Sequence, residues 1–335
     1  MVDSKSQIEH SISQVRKRDG SVSDFNRDKI LNAIYRAFSA SNKPDKELAI
    51  KLSDAVLIKL TEHGFSVNNP PGVESIQDLV ESTLIDQGHS DIAKSYILYR
   101  HERRKIREEK MKVLNTKRLD SVGKSFDINC LRVLASRYLF RDNKNEIIEK
   151  PSELFERVAI LVSISDLIRD NYLFTKDGGM SQNVEEAAEY LKKLDGFSYK
   201  FKIGSYYLNK WHFRCLINCY VELAKQGMMK VSFKELLTML ASKKFDAYAD
   251  RISEYYELMT SQDFLPNSPT MMNAGGRLGQ LSACFVLGMP DDMQSIMKTT
   301  SDAALIFKSG GGVGINYSDL RDEGEIVAST SGVAS

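Results

Sequence analysis

The chain has 335 residues, 42% of them hydrophobic and 27% charged, the proportions of a soluble globular protein. Its 46 basic and 45 acidic side chains leave a net charge of +1, so no long-range field draws it onto DNA or an anionic membrane. Met1 to Gln14 contains no apolar signal-peptide core, no apolar run approaches the roughly 18–20 residues of a spanning helix, and four cysteines are too few for a disulfide scaffold; the expectation is a cytoplasmic protein with neither DNA nor membrane as partner.

Residues 1–14 are expected to form a disordered lead-in, and residues 15–105 a compact unit. The unit opens with a strand at Val15–Lys17 and a turn at Arg18-Asp19-Gly20-Ser21, where Asp-Gly signals a hairpin. Asn26 is placed to cap a helix in which Ile30, Leu31, Ile34, Tyr35 and Phe38 make one apolar stripe. Ser41 to Asp45 break it, a second helix covers 47–63 up to Gly64, and Pro70-Pro71-Gly72 is a loop. Two more helices, 75–87 and 91–110, flank Gly88-His89-Ser90.

Residues 106–262 are expected to be a linker followed by a mostly helical region. The charged stretch 101–118 reads as a solvated helix tail, with Gly123 and Ser125 in the linker. Apolar spacing in Leu154–Leu167 and Ser232–Leu240 is helical. Cys130, Cys215 and Cys219 fall in this part as core thiols. Cys215 and Cys219 are four apart and share a helix face, but no second pair or spaced histidine accompanies them, so no metal site is expected.

Residues 263–335 change texture, with more Gly, Ser and Pro. Gln280–Leu287 reads as a buried strand with Ser282 and Cys284 on one face, Ser301–Phe307 as a helix, and Ser309-Gly310-Gly311-Gly312-Val313-Gly314 as a glycine-rich loop. That loop lacks both the Gly-Lys-Ser/Thr of a phosphate-binding loop and the third glycine of a dinucleotide fingerprint. It serves either a tight turn or the close approach of a ligand. Cys284 alone reads as a small buried hydrophobe, since no His or Lys flanks it.

Two chemistry-bearing blocks remain. Lys17, Arg18 and Lys29 gather near one hairpin and one helix start, an arrangement that suits either a polyphosphate or plain surface charge. Val15-x-Lys17-Arg18-Asp19-Gly20 and Phe25-Asn26-x-Asp28-Lys29-Ile30, with Ile76-Gln77-Asp78-Leu79-Val80-Glu81 and Ala93-x-x-Tyr96-Ile97-Leu98-Tyr99-Arg100 closing the unit, resemble an ATP-cone, a small α+β regulatory domain. The resemblance implies that Val15, Lys17, Arg18, Asn26 and Lys29 line an ATP/dATP site. Where that family often carries an acidic residue stands Ser23, with Asp24 beside it.

The second block resembles the substrate-site entry of ribonucleotide reductase large chains. It runs from Pro266-Asn267-Ser268-Pro269-Thr270 through Gly279–Leu287, Ala304–Gly314 and Leu320-Arg321-x-x-Gly324 to Ser329-Thr330-x-Gly332-Val333-Ala334-Ser335. Ser-Gly-Gly-Gly, Ala-Cys-Phe and Leu131-Arg132-Val133-Leu134-x-x-Arg137-Tyr138-Leu139 are most like the class II, adenosylcobalamin-dependent branch.

The fold so implied is α/β: an ATP-cone, a helical connector, then the first part of a ten-stranded α/β barrel over 263–335. The implied activity is that of a ribonucleoside-diphosphate reductase, making deoxyribonucleotides for DNA replication by radical chemistry. Cys284 would be the catalytic thiol that becomes half of a disulfide; Ser268, Ala283, Cys284 and Gly312 would hold substrate; Asp291, Asp292, Met293 and Arg321 would bind a dNTP specificity effector. In that family the radical-bearing cysteine, the partner of Cys284 and the shuttle cysteines lie downstream. The resemblance therefore implies a chain inactive alone, needing a C-terminal part in trans or after splicing, adenosylcobalamin, and a thioredoxin-like reductant. A non-catalytic ATP/dATP sensor and a glycyl-radical reductase are the alternatives; the sensor has no use for Ser268, Cys284 and Gly312.

Overall fold

The computed structural model describes residues 12–18, 20–327 and 332–333. The chain divides into two compact units at Leu119/Asp120.

In the first unit, strands β1 (Gln14–Arg16) and β2 (Val22–Asp24) pair antiparallel, with Val15 opposite Ser23. Gly20 takes φ 82°, the left-handed conformation the turn requires, and Lys17 N–H donates to Ser21 O at 2.7 Å. Asp19 and residues 1–11 lie outside the described residues; of the expected lead-in, Ile12 is buried and Gln14 is in β1, so residues 12–14 belong to the folded unit.

Four helices follow: α1 (Asp28–Ala40), α2 (Lys46–Glu62), α3 (Val73–Asp86) and α4 (Ser90–Val113). The α1 stripe is as read, with Ile30, Ile34 and Phe38 buried and Leu31 and Tyr35 packed beside them. Its N-cap is Arg27, with no side-chain capping bond, rather than Asn26. Asp45 caps α2 by accepting from Leu48 N–H at 2.8 Å. Ile34, Ala49, Val56, Leu60 and Leu84 are fully buried, so the helices close one core of their own. Arg16 N–H donates to Pro71 O at 2.9 Å and ties the hairpin to the loop before α3.

The charged tail departs from expectation. Helix α4 persists to Val113, and Lys110 is buried rather than solvated. In the second unit, Gly123 and Ser125 belong to a short helix, α5 (Ser121–Ser125), whose cap Asp120 accepts from Gly123 N–H at 2.6 Å. Side-chain capping overrides the loop propensity of those two residues.

The second unit is mostly helical, as expected. Helix α6 (Ile128–Arg137) is capped by Asp127, and α7 (Pro151–Leu167) begins with a proline in its first turn, where no N–H is needed. Leu154, Phe155, Val158, Ala159, Ile160 and Ile164 are buried around α7, which makes it the unit's central helix. Next come α8 (Val184–Glu189), a 3-10 turn at Tyr190–Phe197 and a small hairpin of β3 (Lys202–Ile203) and β4 (Tyr206–Tyr207). Helices α9 (Lys210–Lys225), α10 (Phe233–Ala241) and α11 (Tyr248–Thr260) complete the region.

The terminal block holds α12 (Ser268–Asn273) and then a strand–helix–strand unit: β5 (Cys284–Gly288), α13 (Met293–Lys308) and β6 (Gly312–Asn316). β5 and β6 pair parallel, which requires the crossover that α13 supplies. β7 (Ile326–Val327) and β8 (Gly332–Val333) form a short antiparallel pair; Ser329 and Thr330, at the end of the reductase-like block, lie outside the described residues.

Four expectations change here. The strand starts at Cys284 rather than Gln280, because Gln280 and Leu281 carbonyls are taken by Asn273 and Thr270 side chains. It is not buried: its exposure alternates, Cys284 is exposed and Val286 is 83% exposed. The glycine-rich segment is a turn only as far as Gly311, after which Gly312 enters β6, and the helix before it is longer than Ser301–Phe307.

Candidate functional site

A cavity of about 280 Å³ opens where the hairpin meets α1, α3 and α4. Val15, Lys17, Asn26 and Lys29, all expected there, line it. Asn26 does not cap α1 and instead contributes its amide to this wall. Ser23 and Asp24 also face the cavity, so the acidic side chain comes from Asp24. Phe25, Ile30, Ile76 and Val80 give it an apolar floor suited to a flat ring, and the two lysines give it a cationic rim suited to phosphate. Tyr96 closes the floor; burial pushes its phenol up to about 12.

Arg18, the fifth expected residue, is not in that wall. Its Nε donates to Glu74 Oε1 at 2.5 Å and its Nη2 to Gln77 Oε1 at 3.2 Å. Arg100 Nη2 holds the other Glu74 oxygen at 2.8 Å, and Arg100 Nη1 donates to Asp78 at 2.6 Å. Burial alone would raise the Glu74 carboxyl, but the hydrogen bonds from Arg18 and Arg100 outweigh it and hold the group below its ordinary range. Glu74, Gln77 and Arg100 were missed as site residues. They lie 56, 59 and 82 positions from Arg18 along the chain, and no local spacing relates them.

The second constellation lies in the terminal block. The parallel register sets Cys284 opposite Gly312, and Gly312 N–H donates to Ala283 O at 2.7 Å. Three expected substrate residues, Ala283, Cys284 and Gly312, therefore sit on adjoining strand ends. The tight glycine is Gly311 rather than Gly312: a Cβ on Gly311 would lie 2.7 Å from Ile306 and 2.8 Å from Phe285, whereas one on Gly312 would meet only Ala283 O at 3.6 Å. Gly312 thus leaves its Cα side open to close approach, while its N–H is engaged by Ala283 O.

Ser268 starts α12 two residues before Thr270, whose hydroxyl donates to Leu281 O at 3.1 Å. Its Oγ is 3.0 Å from the Tyr138 hydroxyl. A buried node fixes both ends of that contact. Arg157 donates from Nη1 to Ala274 O at 2.5 Å and from Nη2 to Met271 O and Tyr138 O, each at 3.1 Å. Its Nε donates to Glu149 at 2.6 Å, and the guanidinium lies 3.9 Å from the centre of the Phe140 ring. Both partners are almost wholly buried; burial pushes the Glu149 carboxyl up and the Arg157 guanidinium down, against their mutual attraction. His212 Nε2 lies 3.0 Å from Arg157 O, and burial lowers its pKa to about 4. Gly275, at φ 67°, packs where a Cβ would come 2.7 Å from His212.

Of the expected effector residues, Asp291 and Arg321 meet: Arg321 Nε donates to Asp291 Oδ2 at 2.7 Å. Asp292 caps α13 by accepting from Ser295 N–H at 2.9 Å, which keeps its carboxyl low, and Met293 is exposed. Cys215 and Cys219 lie 3.9 Å apart on α9. No group of three or more metal-ligating side chains occurs among the described residues, and no helix there is long and apolar enough to cross a membrane.

Three family matches run in order along the chain: the ATP cone domain over residues 13–105, the ribonucleotide reductase all-alpha domain over 124–279, and the ribonucleotide reductase barrel domain over 282–335. A vitamin B12-dependent ribonucleoside-diphosphate reductase of Thermoplasma acidophilum is 38% identical across 97% of this chain and 39% of its own length. The protein of that name from Mycobacterium tuberculosis is 29% identical over 96% of this chain and 34% of its own. A ribonucleoside-diphosphate reductase subunit alpha of Chlamydia pneumoniae is 25% identical over 96% and 37%. The chain thus spans between 34% and 39% of the length of these relatives.

Proposed function

Given that the chain is the N-terminal part of a ribonucleotide reductase large chain, with an ATP-cone, the all-alpha domain and the start of the barrel, we propose that it supplies the effector-sensing and substrate-entry portions of an enzyme that reduces ribonucleotides. The observation that carries this reading is the register that sets Cys284 against Gly312. It puts an exposed thiol next to backbone open to phosphate, on strands joined by a parallel crossover.

In this reading the thiol of Cys284 and a second cysteine from the barrel's remainder supply two electrons and two protons. The ribose 2′ hydroxyl leaves as water, a C–H bond replaces C–O, and the two sulfurs end as a disulfide. A thioredoxin-like dithiol restores them. Ser268 and Gly312 hold ribose and phosphate, with Tyr138 orienting the Ser268 hydroxyl. Adenosylcobalamin, which the relatives' names point to, supplies the radical when bound; the exposed face of β5 around Cys284 and Val286 fits a site completed by other elements, and no residue of this chain is assigned to the cofactor. Asp291 and Arg321 belong to a dNTP site, in which effector phosphates draw on Arg321. The cone cavity takes ATP or dATP. The cytoplasm, where thiols stay reduced, is the fitting compartment.

The test is complementation. The chain is mixed with a polypeptide carrying the rest of the barrel, adenosylcobalamin and a dithiol, and deoxyribonucleotide is measured. Product that responds to ATP and dATP is expected. ATP and dATP binding with no product from the reconstituted mixture would reduce the chain to a sensor.

A further inference from the structure

The cations at the cone cavity are unevenly engaged. Lys17 and Lys29 face it, while Arg18, the neighbour of Lys17, is held outside by Glu74 at 2.5 Å and Gln77 at 3.2 Å. Gln77 itself lines the cavity, so Arg18 is one side chain away from it. Arg18 and Glu74 are 40% and 47% exposed, and an ion pair that open to water is worth about 0.2–1 kcal/mol. Arg100 is the fixed member, 15% exposed and bonded to both Glu74 and Asp78.

We infer that Glu74 is a built-in competitor for Arg18, an internal anion that holds the guanidinium in reserve until a nucleotide polyphosphate in the cavity takes it over. The inference rests on the nucleotide reading of this cavity. A phosphate offers Arg18 the same paired acceptor geometry as the carboxylate, with more charge. The exchange leaves Glu74 to Arg100, with the Arg107 charge also within its reach, and releases the hairpin from its side-chain tie to α3. Glu74 therefore sets the cone's affinity from outside the wall, and the state of the pair reports occupancy to α4, the helix that carries Arg100.

The account predicts non-additive substitutions. ATP and dATP are titrated calorimetrically into the full chain as wild type, Glu74→Gln, Arg18→Gln and the double variant. Glu74→Gln should tighten binding roughly two- to fivefold, the worth of one exposed pair. Arg18→Gln should weaken it, and Glu74→Gln added to Arg18→Gln should change affinity by less than about half of its effect alone. Equal tightening in both backgrounds would mean a general field effect and overturn the competitor. Unchanged or weaker binding in Glu74→Gln, with circular dichroism showing an intact fold, would overturn it as well. No heat from the wild type would sink the nucleotide reading first, and the competitor with it.

Discussion

The hairpin-and-helix unit and the terminal strand–helix–strand unit both carry amphipathic elements and treat them differently. In the first, α1 to α4 turn their stripes onto one another, and Ile34, Val56, Leu60 and Leu84 lose all contact with water. In the second, Val286, Met293, Leu305 and Phe307 stay more than half exposed, while Met289, Thr299 and Ala303 are buried. Periodicity tells which residues share a face; whether that face is buried depends on what packs against it. The same contrast separates the two proposed nucleotide sites. The cone cavity is walled entirely by its own unit, whereas Cys284 and Gly312 lie on an open two-strand sheet.

Substitutions can break or sharpen this contrast. The largest expected effect is at the buried node of the second unit. Arg157→Met strands Glu149 and three carbonyls, and thermal unfolding should show a loss of about 3–5 kcal/mol, partly recovered by adding Glu149→Gln. Leu60→Ala in the cone should cost about 2–5 kcal/mol, as a wholly buried leucine does. Val286→Thr should shift the melt by less than about 0.5 kcal/mol, because that side chain is already in water. Equal costs for the leucine and the valine would erase the distinction between a closed and an open unit.

His212 gives a pH-dependent handle between these extremes. Its folded pKa, about 4, lies below its ordinary 6.5, so the unfolded chain binds the proton more readily. The fold is fully favoured by this group above about pH 6.5 and loses up to about 3 kcal/mol as pH falls towards 4. Melts of His212→Gln should lack that slope. A slope unchanged by the substitution would place its origin elsewhere. Smaller again is Tyr138→Phe, which removes one hydrogen bond from Ser268, worth about 0.5–1.5 kcal/mol. If the hydroxyl orients Ser268 as a binding group, as proposed, the complete enzyme should show a several-fold higher KM with little change in kcat. A fall in kcat at unchanged KM would contradict that role.

Much of the cone was legible because its signals are local. The Gly20 turn, the stripe of Ile30, Ile34 and Phe38, and the stops at Gly64 and Gly88 all act within one or two turns of chain. Asn26 was misplaced for a physical reason: a cap preference identifies a polar side chain near a helix start, not whether a cavity has a stronger claim on it. Arg18 is expected in the wall because the ATP-cone resemblance implies it, whereas its bond to Glu74 depends on how α3 packs. The Arg157 node was invisible for the same reason, since it joins residues from Tyr138 to Ala274. In the terminal block one strand and its cysteine were readable, but the second strand reads in sequence as a glycine-rich loop and burial was not legible, because alternation alone does not say what covers a strand.

The most direct test is a single turnover of the complete enzyme without any dithiol, followed by mass spectrometry of the cysteine-containing peptides. With the shuttle cysteines replaced by serine, so that no other thiol pair can re-reduce the site, the account predicts no more than about one deoxyribonucleotide per site, with Cys284 recovered in a disulfide. Product formed with Cys284 still a free thiol, and undiminished in Cys284→Ser, would contradict it.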